Sequence, residues 1–148
     1  KEESKFIGLG EKFVDYFSQL PEVAGGYLYG SQIGDNAGSL SDVDVAVIMT
    51  GGVAKDKYLD FQLEYINEIQ SILKVDLTAD VKILNDEDYA LIYQASVINQ
   101  GELIVNNRPK EVAGFVHRIG MLYPDFYPVL KNYYSKMYQR LENGTYAA

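Results

Sequence analysis

An α/β class in one domain is what the order of patterns along this chain predicts. Stretches with an apolar residue every three or four positions alternate with short, densely apolar stretches bounded by glycine or asparagine. The 148 residues suit one core-bearing domain, and no internal repeat, low-complexity tract or linker divides them, so residues 1–148 are read as a single unit. With 47% hydrophobic and 23% charged residues, the composition is globular rather than disordered or fibrous.

The first helical stripe is Phe6, Leu9, Phe13, Phe17 and Leu20, and Pro21 stands where that helix should stop. Gly25 and Gly26 read as a turn, after which Tyr27 to Tyr29 forms a short strand running into Gly30-Ser31. Val43 to Met49 is almost continuously apolar, as expected of a strand buried on both faces, and Thr50-Gly51-Gly52 closes it. Leu59, Leu63, Ile66, Ile69 and Leu73 mark a second helix. Asp80 to Leu84 alternates as a third strand, and Asn85-Asp86 offers a cap for a helix ending near Gly101. Glu102 to Asn106 is too short for its periodicity to decide between helix and strand. Pro109 suits the first turn of another helix. Pro124 and Pro128 interrupt the chain around "YPDFYP", and a last helix runs to about Leu141 with Gly144 just beyond it.

The bulk properties exclude several functions. A formal charge of −8 disfavours direct binding to a nucleic-acid backbone, which needs basic patches, and favours a basic protein partner. Zero cysteines exclude a disulfide framework, a thiolate metal site and a cysteine nucleophile, and lean toward a reducing compartment. No apolar run approaches the roughly 20 residues of a membrane span, and "KEESKF" lacks the layout of a signal peptide. A cytoplasmic protein without a membrane partner is therefore expected.

The chemistry concentrates in "LYGSQIGDNAGSLSDVDVAVI", Leu28 to Ile48. Aspartates are poor strand formers and repel each other at close spacing, yet Asp42 and Asp44 open an apolar strand two positions apart. Side chains alternate along a strand, so both project from one face while Val43 and Val45 enter the opposite layer. Hard oxygen ligands held together suit Mg²⁺, which commonly takes further ligands from the phosphates of a nucleoside triphosphate. Gly30-Ser31 supplies the complementary half, since glycine permits close backbone approach and the following amide and hydroxyl can donate to phosphate oxygens.

Apolar-Gly-Ser, ten residues, then Asp-x-Asp resembles the signature of the nucleotidyltransferase superfamily related to DNA polymerase beta, in its minimal single-domain form. The succession "LSDVDVAVI", "ADVKILND", "VINQGELIVNN" and "YPDFYPVLKNYYSKMYQRLENG" is similar to the MntA-like antitoxins that pair with HEPN-domain ribonuclease toxins. The resemblance implies a small mixed sheet flanked by helices, with further helices at the C-terminal end. It implies ATP as substrate, two Mg²⁺ ions, and transfer of AMP to a tyrosine of a cognate HEPN toxin, which silences it. On this resemblance Gly30 and Ser31 hold phosphates, Asp42 and Asp44 hold metal, and a third carboxylate comes from a neighbouring strand. Asp76 and Asp80 are four apart in a possible strand, so spacing does not choose between them; the family pattern of aspartate, apolar strand and Leu-Asn fits Asp80, with Asp76 behind it. Where relatives often carry arginines after Gly-Ser, this chain has Gln32-Ile33-Gly34. Either triphosphate affinity is lower here, or compensating charge at the nucleotide comes from elsewhere, with Lys82, on the same face as Asp80 by alternation, as the candidate. Two other readings fit the same residues: a nucleotidyltransferase acting on a small molecule or RNA end, and an antitoxin that neutralises by binding without chemistry.

The remaining features read as structure. His117, the one histidine, lies in an apolar helical stretch. The tyrosines of the tail, Tyr123, Tyr127, Tyr133, Tyr134 and Tyr138, read as a core stripe. The acidic "NDEDY" from Asn85 to Tyr89 reads as a helix start, and Lys55, Asp56 and Lys57 as a solvated loop.

Overall fold

The most apolar segment, Val43–Met49, lies at the centre of a four-stranded sheet. The computed structural model describes residues 2–29, 43–73, 78–123 and 126–143. In chain order its elements are α1 (Glu2–Phe17), β1 (Val23–Tyr29), β2 (Val43–Met49), a single 3-10 turn (Lys55–Lys57), α2 (Tyr58–Ile72), β3 (Ala79–Ile83), α3 (Leu91–Gln100), β4 (Glu102–Asn106), α4 (Pro109–Leu122) and α5 (Phe126–Asn143). The strand order is β3-β2-β1-β4. β1 is antiparallel to β2 and β4, while β2 and β3 run parallel. The sheet is therefore mixed, with α2 as the crossover that a parallel pair requires.

Alternation divides the strands between two cores. Val43, Val45, Val47, Met49, Val81 and Ile83 pack on one side with Phe13 and Phe17 of α1 and Tyr65 and Ile69 of α2. Tyr27, Ala46 and Ile48 face the other side, where Ala95 and Ile98 of α3, Val112, Phe115 and Val116 of α4, and Tyr133 of α5 cover them. Both faces of β2 are filled, which explains its unbroken apolar run. α2 also protects the outer edge of β3: Gln62 Nε2 donates to the Val81 carbonyl at 2.6 Å, and the Ala79 N–H donates to Gln70 Oε1 at 3.0 Å. An edge capped by side-chain amides is not left to pair with another chain.

Several expectations need correction. Gly25 and Gly26 do not turn the chain but lie inside β1. A Cβ on Gly25 would come within 2.7 Å of Val112 Cγ2, so glycine here lets α4 pack directly on the strand. In α2 the stripe holds at its C-terminal end, where Ile69 and Leu73 are buried, but Leu59 and Leu63 are 62% and 52% exposed and Tyr65 is buried in their stead. Tyr65 takes that place because its hydroxyl, although deep, donates to Glu22 Oε2 at 2.6 Å. Asn85-Asp86 precedes a turn rather than a helix; α3 starts at Leu91 with Ala90 at its cap. Asp86 instead accepts the Asp88 N–H at 3.0 Å, and Lys55 forms ion pairs with both acids, so the 3-10 turn is tied to this loop. Pro128 lies inside the first turn of α5, where a missing N–H costs nothing. Among the tail tyrosines Tyr133 is buried, but Tyr134 and Tyr138 are exposed. Glu102–Asn106 is a strand, β4. Pro124 and Gly144 lie outside the described residues.

Asn85 has a role that its turn propensity conceals. Its Nδ2 donates to the Met49 carbonyl at 2.9 Å, and its Oδ1 accepts the Met49 N–H at 3.0 Å. The side-chain amide thus extends the β2–β3 ladder by one peptide-like pair. Asn85→Ala should cost about 2 kcal/mol in urea unfolding, because two backbone groups of Met49 lose partners in a half-buried place. A loss below about 0.5 kcal/mol would show that water replaces the amide.

Candidate active site

The register of the sheet brings the acidic residues together. Tyr29 is paired with Asp44 across the antiparallel β1–β2 ladder, and Asp44 with Asp80 across the parallel β2–β3 ladder. The three residues form one row, spaced by the roughly 4.8 Å between neighbouring strands. By alternation they share the face of Tyr27, Ala46 and Ile48, the face covered by α3. Lys82 lies two residues along β3 on that face, and its ammonium forms an ion pair with Asp80 Oδ2. The Asp80 and Lys82 side chains are 41% and 31% exposed, so the pair lies at a solvent-accessible end of the sheet.

Aromatic groups close the side toward α3. The hydroxyls of Tyr29 and Tyr93 are 2.6 Å apart and share a hydrogen bond, with their rings edge to face. Tyr89 lies beside Tyr93, ring centroids 5.2 Å apart. Gly101 makes this packing possible: a Cβ there would come within 2.5 Å of the Val97 carbonyl oxygen and 3.3 Å of Tyr27 and Tyr29.

The electrostatics follow from the placement. Burial pushes the Tyr29 phenol up; the hydrogen bond from Tyr93 opposes this, and the carboxylates of Asp44 and Asp80 add to the rise. Burial is also the leading cause for Tyr93, reinforced by its bond to Tyr29, and for Tyr89, where Lys82 works the other way. At Lys82 burial disfavours the charge, but the contact with Asp80 outweighs it and lifts the ammonium above its ordinary range. These phenols are held neutral next to negative charge, and Lys82 is held charged.

Of the expected site residues, the structure joins Asp44, Asp80 and Lys82. Gly30, Ser31, Asp42 and the alternative Asp76 lie outside the described residues. Among the described residues no group of three or more acidic or histidine side chains could hold a metal ion; Asp44 and Asp80 are neighbours by strand register. Their donor chemistry fits a hard divalent cation, and the cation now beside Asp80 shows that this place attracts positive charge. His117 is exposed on α4 and belongs to none of the elements that build the site. Sequence reasoning missed Tyr29, Tyr89 and Tyr93, having looked for tyrosines in the tail. The available signal was Tyr29, directly before Gly30-Ser31.

The family model described as polymerase beta, nucleotidyltransferase, matches residues 11–110. No curated protein matches the sequence. Several solved structures are similar to this chain over most of its length. One is a toxin–antitoxin with AMP-PNP, 15% identical, TM-score 0.46, covering 96% of this chain and 92% of that one. Another is the toxin–antitoxin MntA-HepT, 16% identical, TM-score 0.43, covering 97% and 91%. A third is a tri-AMPylated Shewanella oneidensis HEPN toxin in complex with MNT antitoxin, 16% identical, TM-score 0.40, covering 97% and 90%. No helix among the described residues is long and apolar enough to cross a membrane.

The raised phenols give a pH dependence with a definite sign. In the unfolded chain they lose protons near pH 10, as free tyrosine does, whereas Tyr29, Tyr93, Tyr27 and Tyr65 keep theirs in the folded chain. The folded state then binds more protons, so stability is fully present below about pH 10 and falls as pH rises beyond it. Of the 13 tyrosines, the buried group should ionise only with loss of the circular dichroism signal, as one cooperative step in phenolate absorbance. Tyr93→Phe should remove one phenolate from that step; gradual ionisation of all tyrosines before unfolding would contradict the assignment.

Proposed function

We propose that this chain, which belongs to the polymerase beta nucleotidyltransferase family, transfers AMP from ATP to a tyrosine hydroxyl of a cognate HEPN-type ribonuclease toxin and so acts as its antitoxin. The observation that carries the enzymatic part is the register match of Asp44 with Asp80 on parallel strands, on one face and at an accessible end of the sheet. The acceptor and the partner rest on the resemblance of the motifs to MntA-like antitoxins, and the charge of −8 suits a basic partner in a cytoplasmic setting.

Asp44 and Asp80, with Asp42, are the residues to hold two Mg²⁺ ions. When bound, such ions supply positive charge to phosphate oxygens and ease loss of the acceptor proton. Gly30 and Ser31 cradle the triphosphate tail through backbone amide and hydroxyl, and Lys82 adds the cationic group that Gln32 and Gly34 do not provide. The acceptor oxygen forms a bond to the α-phosphorus, the bond from that phosphorus to the bridging oxygen breaks, and pyrophosphate leaves. In this reading Asp80 helps the acceptor hydroxyl lose its proton, as a direct base or by lowering its pKa through a bound metal. The neutral Tyr29 and Tyr93 pair keeps the carboxylate row walled from the α3 side without adding charge.

Asp44→Asn should lower AMP transfer to the partner by at least about 10²-fold, read as mass added to the toxin in the presence of ATP and Mg²⁺. The melting temperature should hold or rise, since one carboxylate of a repelling pair is removed. Full transfer by the variant would refute the assignment. Tight binding of the toxin with no added mass by the unaltered chain would favour neutralisation by occlusion, and pyrophosphate release only with another acceptor would favour a small-molecule or RNA-end substrate.

A further inference from the structure

We propose that Lys82 is an internal stand-in for the metal: it neutralises Asp80 when the site is empty and must leave that carboxylate before a divalent cation binds, moving to the triphosphate. This rests on the reading of Asp44 and Asp80 as metal ligands. Two carboxylates paired across a parallel ladder repel each other, and the adjacent phenols of Tyr29 and Tyr93 offer no charge to offset them. Lys82 answers this from two residues along the same strand, with its ammonium directly on Asp80 Oδ2.

The same contact obstructs a metal. A cation at Asp80 would share a carboxylate whose Oδ2 Lys82 already holds, and a divalent ion beside that ammonium is repelled by it. The lysine stem is flexible and a third exposed, so its head can swing away from the carboxylate. Once displaced it needs an anion, and the phosphates of the nucleotide are the anions this site would receive. Metal and nucleotide are thereby coupled: each removes a cost that the other faces, so they bind better together than the separate affinities indicate.

The test measures binding rather than turnover. Mn²⁺ is titrated into the nucleotide-free chain, and free Mn²⁺ is counted by electron paramagnetic resonance. Lys82→Met keeps most of the stem and removes the charge; it should bind Mn²⁺ about tenfold tighter than the unaltered chain. Its affinity for ATP in the absence of divalent ions, by calorimetry, should fall by a similar factor. Lys82→Arg retains charge and should leave Mn²⁺ binding weak. Equal or weaker Mn²⁺ binding by a folded Lys82→Met, checked by its melting temperature, overturns the proposal while leaving the metal assignment intact. If neither the unaltered chain nor Lys82→Met binds Mn²⁺, and Asp44→Asn still transfers AMP, the metal reading itself falls with it.

Discussion

The parallel pairing of β2 with β3 is the constraint on which the site depends. Asp44 and Asp80 are 36 positions apart in the chain, and only this register sets them side by side. A slip of one residue would turn Asp80 into the core occupied by Val81 and Ile83 and bring those apolar groups out to solvent. Burial of the valines and isoleucine therefore specifies the alignment, and the alignment places the carboxylates. α2 secures it from outside through Gln62 and Gln70, and Asn85 secures it at the far end through Met49. The alignment of the two acids is a by-product of core packing, which is why it needs no rigid loop of its own.

What could be read from the sequence, and what could not, follows from the range of the interactions involved. β2, with both faces buried, announced itself, as did Pro109 at the start of α4, because run length and proline stereochemistry are local signals. The Asp80 position was legible for the same reason: alternation within β3 put it with Lys82. Gly25 was misread because its requirement is a tertiary contact, the approach of Val112 from a helix almost ninety residues later. Leu59 and Leu63 were misread because periodicity assumes that the most hydrophobic stripe faces inward. In α2 an aromatic residue with a carboxylate partner for its hydroxyl, Tyr65 with Glu22, took the inner face instead. The Tyr29–Tyr93 bond lay beyond sequence reasoning altogether, since it joins β1 to α3 across 64 positions.

The tyrosines explain how a negatively charged row can border an apolar core. A lysine or arginine against α3 would neutralise the carboxylates permanently and compete with any incoming cation, while a phenylalanine would offer no hydrogen bond at the polar boundary. Tyr29 and Tyr93 present apolar rings to the core and satisfy each other's hydroxyls at its margin. Their raised phenols mean that the boundary stays neutral throughout the ordinary pH range. The positive charge beside this boundary is that of Lys82, held on Asp80.

Core packing and exposed charge are divided along the length of the same strands. At one end, β2 and β3 finish in the buried Met49 and Ile83, and the Asn85 amide locks Met49. At the other they begin with residues whose charges resist each other and remain partly open to water. Repulsion at a strand end costs less than repulsion in its middle, because solvent screens it and the ladder beyond it is already formed. A third carboxylate inside the valine run would have to displace core packing to be accommodated. Placing the acids near the starting ends of β2 and β3, next to the last residue of β1, lets the fold tolerate an electrostatic conflict that the Lys82 ammonium eases at Asp80.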